Sequence, residues 1–258
     1  MNPSAPSAPP EGAIPAATLV IMRASAAGAD EILMVKRATN MAFAAGAVVF
    51  PGGRIDPDDY LVARDHGLAD QADGAARVAA LRETLEETGL AVGWPTLADR
   101  EVADVRRALL GGTLLSEILR TRGDRIALDA LVPFARWCPN FKETRTFDTR
   151  FYAVAAPSHS HELTVEEAEH SHIFWSSAAD TLAMADRGEV SVIFPTRRNL
   201  ERLATATDFS QFSEHAVRFP VELVTPWVEE RDGRSHLCIP GHLGYPVTSE
   251  ILDRVGRG

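Results

Sequence analysis

The chain has 258 residues, 45% of them apolar and 24% charged, and carries a formal net charge of −10. This is long enough for one large domain with a sizeable core and has the balance of a soluble globular protein. The acidic excess argues against a broad grip on nucleic acid, which needs a basic surface, and no run approaches the ~18 apolar residues of a membrane helix.

Residues 1–15 are dominated by Ala, Pro and Ser and are expected to form a disordered leader, with residues 16–258 a single domain. The leader lacks the basic start and apolar stretch of a secretory signal, so a cytoplasmic protein is expected. Apolar runs at 17–23 and 31–37 predict two strands joined by a turn at 26–30, and 47–50 predicts a third that stops at Pro51-Gly52-Gly53. Residues 54–72 are expected to be a polar loop. Asp73 is the expected N-cap of a helix that runs to Thr88 and stops at Gly89. Val78, Leu81 and Leu85 form its core stripe.

Helical spacing recurs at 97–110 and 113–121, broken by Gly111-Gly112, which predicts a helical insert. Strands are expected at 131–137, 146–156 and 172–175, and helices at 176–187 and 195–204, the latter with Pro at its start. The last fifty residues mix Pro, Gly and short strand-like runs without a clear assignment. Strands and helices alternate irregularly, which favours an α/β or α+β fold with a mixed sheet.

Chemistry concentrates in Arg82-Glu83-Thr84-Leu85-Glu86-Glu87-Thr88-Gly89-Leu90. Residues three and four apart share a helix face, so Glu83, Glu86 and Glu87 are expected together while Leu81 and Leu85 turn to the core. Crowded carboxylates repel each other. They are also the hard oxygen ligands that Mg²⁺ or Mn²⁺ prefers, and a divalent ion would relieve the repulsion. Upstream, Phe50-Pro51-Gly52-Gly53-Arg54 forms a turn where the backbone can approach another group closely.

These residues resemble the Nudix box: Gly, five residues, Glu, seven residues, then Arg-Glu-U-x-Glu-Glu-x-Gly-U, with U bulky and aliphatic. Gly53 matches the first Gly, and Arg82, Glu83, Glu86, Glu87, Gly89 and Leu90 match the second half. Asp59 stands where the first Glu belongs, Thr84 where an aliphatic residue is usual, and residues 60–81 give 22 positions in place of seven. The excess of 15 reads as a loop extension. An insertion inside the box resembles the acyl-CoA diphosphatases of the peroxisomal type. Phe147-Asp148-Thr149-Arg150-Phe151-Tyr152, Pro195-Thr196-Arg197-Arg198-Asn199-Leu200 and Ile239-Pro240-Gly241-His242-Leu243-Gly244-Tyr245 are similar to segments of that subfamily. A signature of another CoA-cleaving branch is met in part by Leu33, Arg37, Ala38, Gly46 and Phe50-Pro51-Gly52-Gly53, with Ala42 and Val35 departing from it.

The resemblance implies a Nudix α/β/α sandwich with a mixed sheet, a helical insert and a C-terminal extension. It further implies a diphosphatase that uses Mg²⁺ or Mn²⁺ held by Glu83, Glu86 and Glu87 on an anionic small-molecule diphosphate. CoA or acyl-CoA leads. ADP-ribose, a dinucleotide or a nucleotide sugar is the alternative, and a non-catalytic ligand sensor the second. Glu83 either holds metal or acts as general base, a role for which Glu162, Glu166, Glu167 and Glu169 also stand. Arg82 is expected to pair with a carboxylate and fix the helix geometry. Gly52, Gly53, Arg37 and Arg54 are expected at the substrate.

His159, His161, His170 and His172 are read as structural or exposed rather than metal-binding, and Asp148-Thr149-Arg150 as either a substrate element or a cross-strand ion pair. Cys138 and Cys238 form no CxxC and are expected as reduced, inert thiols. The helical insert is a candidate for a homodimer interface or a substrate cap. No membrane partner is expected.

Overall fold

A computed structural model describes residues 8–26, 28–38, 45–139, 145–157 and 170–254. Strands β1 (Ile14–Ser25), β2 (Gly28–Arg37), β3 (Val48–Val49), β4 (Gly52–Arg54), β5 (Val132–Trp137), β6 (Phe147–Ala155), β7 (His170–Ser177) and β8 (Leu223–Val224) form one mixed sheet. Its main path runs β3-β2-β1-β6-β5-β8, with β4 on β1 and β7 on β2. Pairing is antiparallel except at β1–β6 and β5–β8.

The central strands are apolar on both faces, with the period of two that a doubly covered sheet requires. On β1, Ala17, Leu19 and Ile21 enter one core and Val20 and Met22 the other. The first core is closed by α1 (Pro57–Asp65), α2 (Gln71–Thr88), α3 (Asp99–Leu110) and α4 (Leu115–Arg122). The second is covered by α5 (Ala178–Asp186), α6 (Phe194–Leu203), α7 (Phe209–Ala216) and a small antiparallel sheet of β9 (Trp227–Arg231), β10 (Arg234–Cys238) and β11 (Ser249–Ile251). The mixed sheet with helices on both sides is the α/β class expected. No described helix is long and apolar enough to cross a membrane.

Three expectations need correction. β1 starts at Ile14, within the stretch assigned to the leader, because Ile14 and Pro15 pair with Phe147 and Asp148 of β6. The stretch 54–72 is not a loop throughout. Asp56-Pro57 starts α1, with Pro at a position where a missing N–H costs nothing, and Val62 and Ala63 bury against α2. The two helices meet closely at Gly74, where a Cβ would stand 2.9 Å from that of Ala63.

The α2 cap is Asp70, not Asp73. The Asp70 side chain accepts from the N–H groups of Ala72 and Asp73 at 3.0 Å each. Asp73 turns instead to Arg77 at 2.6 Å and to the Tyr152 hydroxyl at 2.8 Å. Gly89 ends α2 as expected, at φ 73°, a left-handed position that favours glycine. Loss of the cap should be felt along the whole helix. Asp70→Ala is expected to lower stability by about 1 kcal/mol, read as a shift of the denaturant midpoint at unchanged slope. An unshifted midpoint would show that the cap contributes nothing.

Candidate functional site

The site forms where the β4 turn meets the last two turns of α2. Arg82 is its centre. Nε and Nη2 donate to the two oxygens of Asp59 at 3.0 Å each, and Nη2 also donates to the Arg54 carbonyl at 2.9 Å. Nη1 donates to Glu83 Oε1 at 3.0 Å and Glu86 Oε2 at 3.2 Å. Asp59 is fully buried and Arg82 nearly so. Asp59 therefore does meet the second half of the motif across the insertion. It lies in the first turn of α1, and its Oδ2 also accepts the Asp56 N–H at 2.8 Å.

The two glycines are required by close approach. A Cβ on Gly53 would stand 2.3 Å from Glu83 Cδ and 2.5 Å from both its oxygens. A Cβ on Gly52 would stand 2.3 Å from the Ala17 carbonyl oxygen. The Gly52 N–H donates to Glu87 Oε2 at 3.0 Å. Glu83, Glu86 and Glu87 are thus gathered around Gly52-Gly53 and Arg82. Thr84 is fully buried, which its hydroxyl tolerates by donating to the Ala80 carbonyl at 2.8 Å.

Burial pushes the Glu83 carboxyl up to about 7, against the pull of Arg82 and with the Glu86 charge adding to the rise. Burial likewise raises Glu86 and Asp59, opposed in both by Arg82. The donor set is all oxygen and excess in negative charge, which suits a hard divalent cation. Among the described residues, no group of three or more His, Cys, Asp or Glu side chains is arranged as it stands to hold a metal ion. Arg82 and the Gly52 N–H hold the carboxylate oxygens.

Arg54 lies at the rim with its side chain exposed. Arg37 ends β2, and among the described residues no hydrogen bond or ion pair joins it to the three glutamates; its Nε is buried without a partner. Glu162, Glu166, Glu167 and Glu169, with His159 and His161, lie outside the described residues, as does the side chain of His170. His172 is exposed and stacks on Phe174. Asp148 accepts two bonds from Arg136 of the neighbouring strand, at 2.8 and 2.7 Å, which makes it a cross-strand ion pair. Both cysteines are free and buried, and burial raises the Cys138 thiol to about 11, leaving it protonated at neutral pH.

Sequence reading missed Arg106 of α3, whose Nε donates to the Glu86 carbonyl at 2.8 Å. Only the position of an arginine on a predicted helix hinted at it.

The Arg82 hub carries a stability consequence. Arg82→Met leaves the Asp59 carboxylate buried without its counter-charge, and a loss of about 3–5 kcal/mol is expected in urea unfolding. Combining it with Asp59→Asn should lose less than the sum of the two single changes. Additive losses would show that the pair is not coupled.

The NUDIX domain family matches residues 13–107, which contain β1, the glycine turn, α1, α2 and most of α3. The crystal structure of a NUDIX hydrolase from Alicyclobacillus acidocaldarius is 32% identical, with a TM-score of 0.68 over 78% of this chain and 96% of that one. A Caenorhabditis elegans protein designated nudix hydrolase 7 is 25% identical over 239 residues, 87% of this chain and 75% of the relative. With the fold, the glycine turn and the acidic helix all in agreement, the chain belongs to the Nudix family and is a hydrolase acting on phosphorus-containing anhydrides.

Proposed function

We propose that this hydrolase cuts the diphosphate of a nucleoside diphosphate joined to another moiety, with CoA or acyl-CoA as the leading substrate. The observation that carries the reading is the gathering of Glu83, Glu86 and Glu87 around Gly52-Gly53 and the Arg82 hub. Nudix hydrolases generally use divalent metal ions. Mg²⁺ or Mn²⁺ is proposed here, held by Glu83, Glu86 and Glu87. When bound, the cation lowers the pKa of water and neutralises charge developing on phosphorus.

The chain's own residues do the rest. Arg82 positions Glu83 and Glu86 without touching substrate. Arg54, exposed at the rim, offers a guanidinium to phosphate oxygens, and Arg37 is a second candidate. Glu83 Oε2 takes no hydrogen bond among the described residues and is free to hold a proton. CoA is favoured by the segment from Leu33 to Gly53 and by the insertion inside the box. Cleavage would release 3′,5′-ADP and a phosphopantetheine product. Two buried free thiols support a reducing, cytoplasmic setting.

The test is a screen of CoA, acetyl-CoA, ADP-ribose, NADH and diadenosine polyphosphates with Mg²⁺ or Mn²⁺, beside Glu86→Gln. CoA cleavage reduced more than about 100-fold in the variant is expected. Turnover of ADP-ribose alone would overturn the CoA assignment, and tight binding without turnover would make the protein a sensor.

Gly53→Ala should separate site from fold. The three atoms nearest the new methyl all belong to the Glu83 carboxyl, so its displacement by roughly 1 Å should lower turnover by about 100-fold, while the melting temperature, lowered through the disturbed bond to Arg82, should fall less than in Arg82→Met. Equal loss of both would contradict the cradle.

The Glu83 proton gives a pH signature. Its pKa is raised from 4.5 to about 7, so between these values the metal-free folded state binds more protons than the unfolded state, and stability falls as pH rises. A cation held by Glu83 must displace that proton. Mn²⁺ binding should release about one proton a unit below pH 7 and few a unit above it, and Glu83→Gln should abolish the release. A pH-independent release in the variant and the wild type alike would remove Glu83 from the site.

A further inference from the structure

We propose that Arg106, on α3 of the helical insert, is a positioning residue that clamps the carboxyl end of α2 and so sets Glu86 and Glu87 for cation binding. The proposal rests on the cation-site reading above.

The end of a helix leaves its last carbonyls without intrahelical partners and concentrates the negative pole of the helix dipole. At the end of α2, the Leu85 carbonyl is met by the Gly89 N–H at 3.0 Å. The following residues, Glu86 and Glu87, add two carboxylates at that pole, and α2 has no basic residue in its last turn. The compensating cation comes from another element. Arg106 Nε donates to the Glu86 carbonyl at 2.8 Å, and Nη2 reaches the Glu87 carbonyl at 3.5 Å. The contacted carbonyls belong to two of the three residues proposed to hold the cation.

Arg106 is itself held firmly. Val102, Val105 and Leu109 of α3 bury in the same core as Val78, Leu81 and Leu85 of α2. The insert is pinned elsewhere by Arg122, which donates to Glu101 at 3.2 Å and to Asp124 at 2.7 Å. It is also tied to the first half of the box. Asp58, next to Asp59 on α1, accepts from the Ser116 N–H at 3.0 Å and the Ser116 hydroxyl at 2.5 Å. The insert therefore braces the acidic site from two sides, through α1 and through the end of α2. A charge-assisted bond from a guanidinium to a backbone carbonyl restricts the last turn without occupying a carboxylate oxygen. The carboxylate oxygens keep their bonds from Arg82 and the Gly52 N–H, which a cation would share or displace.

The test compares Arg106→Ala, Arg106→Lys, Arg107→Ala and Glu86→Gln of the full chain. Mn²⁺ affinity is read from the electron paramagnetic resonance of the unbound ion, alongside the melting temperature of each metal-free protein and kcat and KM. Arg107 is the control, because it is exposed and, among the described residues, its side chain pairs only with Asp104. Arg106→Ala is expected to weaken Mn²⁺ binding about 10–100-fold and to lower kcat more than it changes KM. Arg106→Lys, which keeps a cation and one donor, should recover most of the affinity, and Arg107→Ala should match the wild type. Arg106→Ala binding Mn²⁺ as tightly as the wild type, with Glu86→Gln defective, would overturn the clamp alone. Undiminished binding in both would overturn the cation site and the clamp with it. Equal weakening in Arg106→Ala and Arg107→Ala, or no recovery with Lys, would also overturn the clamp.

Discussion

A guanidinium removed from water must be met by acceptors on every side, and in this protein that demand falls on Arg82. Its acceptors come from three places: Asp59 on α1, the Arg54 carbonyl at the end of β4, and Glu83 and Glu86 on its own helix. None of these can move far without leaving a buried donor or a buried charge unmatched, which costs several kcal/mol. The positions of the reactive carboxylates are therefore consequences of core electrostatics. The same ion pairs that stabilise the fold draw the acidic groups toward one point.

The sheet divides the labour between its faces. The α2 face carries the acidic site. The opposite face gathers two of the segments similar to those of acyl-CoA diphosphatases, around Asn199 and Tyr245. Trp137 donates to the Tyr245 hydroxyl at 2.8 Å, Tyr245 donates to Asn199 at 3.0 Å, and Arg202 donates to the Phe134 carbonyl at 2.7 Å. Arg198 bridges Glu201 and Glu250. These bonds join β5, α6 and the C-terminal strands into one buried lattice. For Asn199, Arg198 and Tyr245, the structure shows a packing role.

What could be read beforehand follows from the range of the forces involved. The acidic helix was legible because its pattern is local: spacing of three and four residues brings Glu83, Glu86 and Glu87 to one side, and Gly89 marks its end. The central strands were legible through apolar runs, since both faces are buried. α1 was hidden because its core contribution is only Val62 and Ala63 with few apolar neighbours, although Asp56-Pro57 is a recognisable helix start. Asp70 and Asp73 are equal as caps on composition, and tertiary partners decide between them: Tyr152 and Arg77 claim Asp73. The Asp59–Arg82 pair and the reach of Arg106 span about twenty residues of chain and depend on how helices pack, which no periodicity reports. The C-terminal strands are short and half-exposed, and their pairing is visible only in three dimensions.

The first turn of α1 delivers Asp59, and the cap of α2 is set by Asp70; what lies between these two aspartates touches neither the glycines nor the glutamates by any hydrogen bond among the described residues. The linear distance between the halves of the motif is thus uncoupled from their distance in space. What the segment contributes is packing, through Val62 and Ala63 against α2, and its length is free only beyond those residues. A search that insists on a fixed count of residues would overlook such proteins, while one that asks which carboxylate meets the arginine would find them.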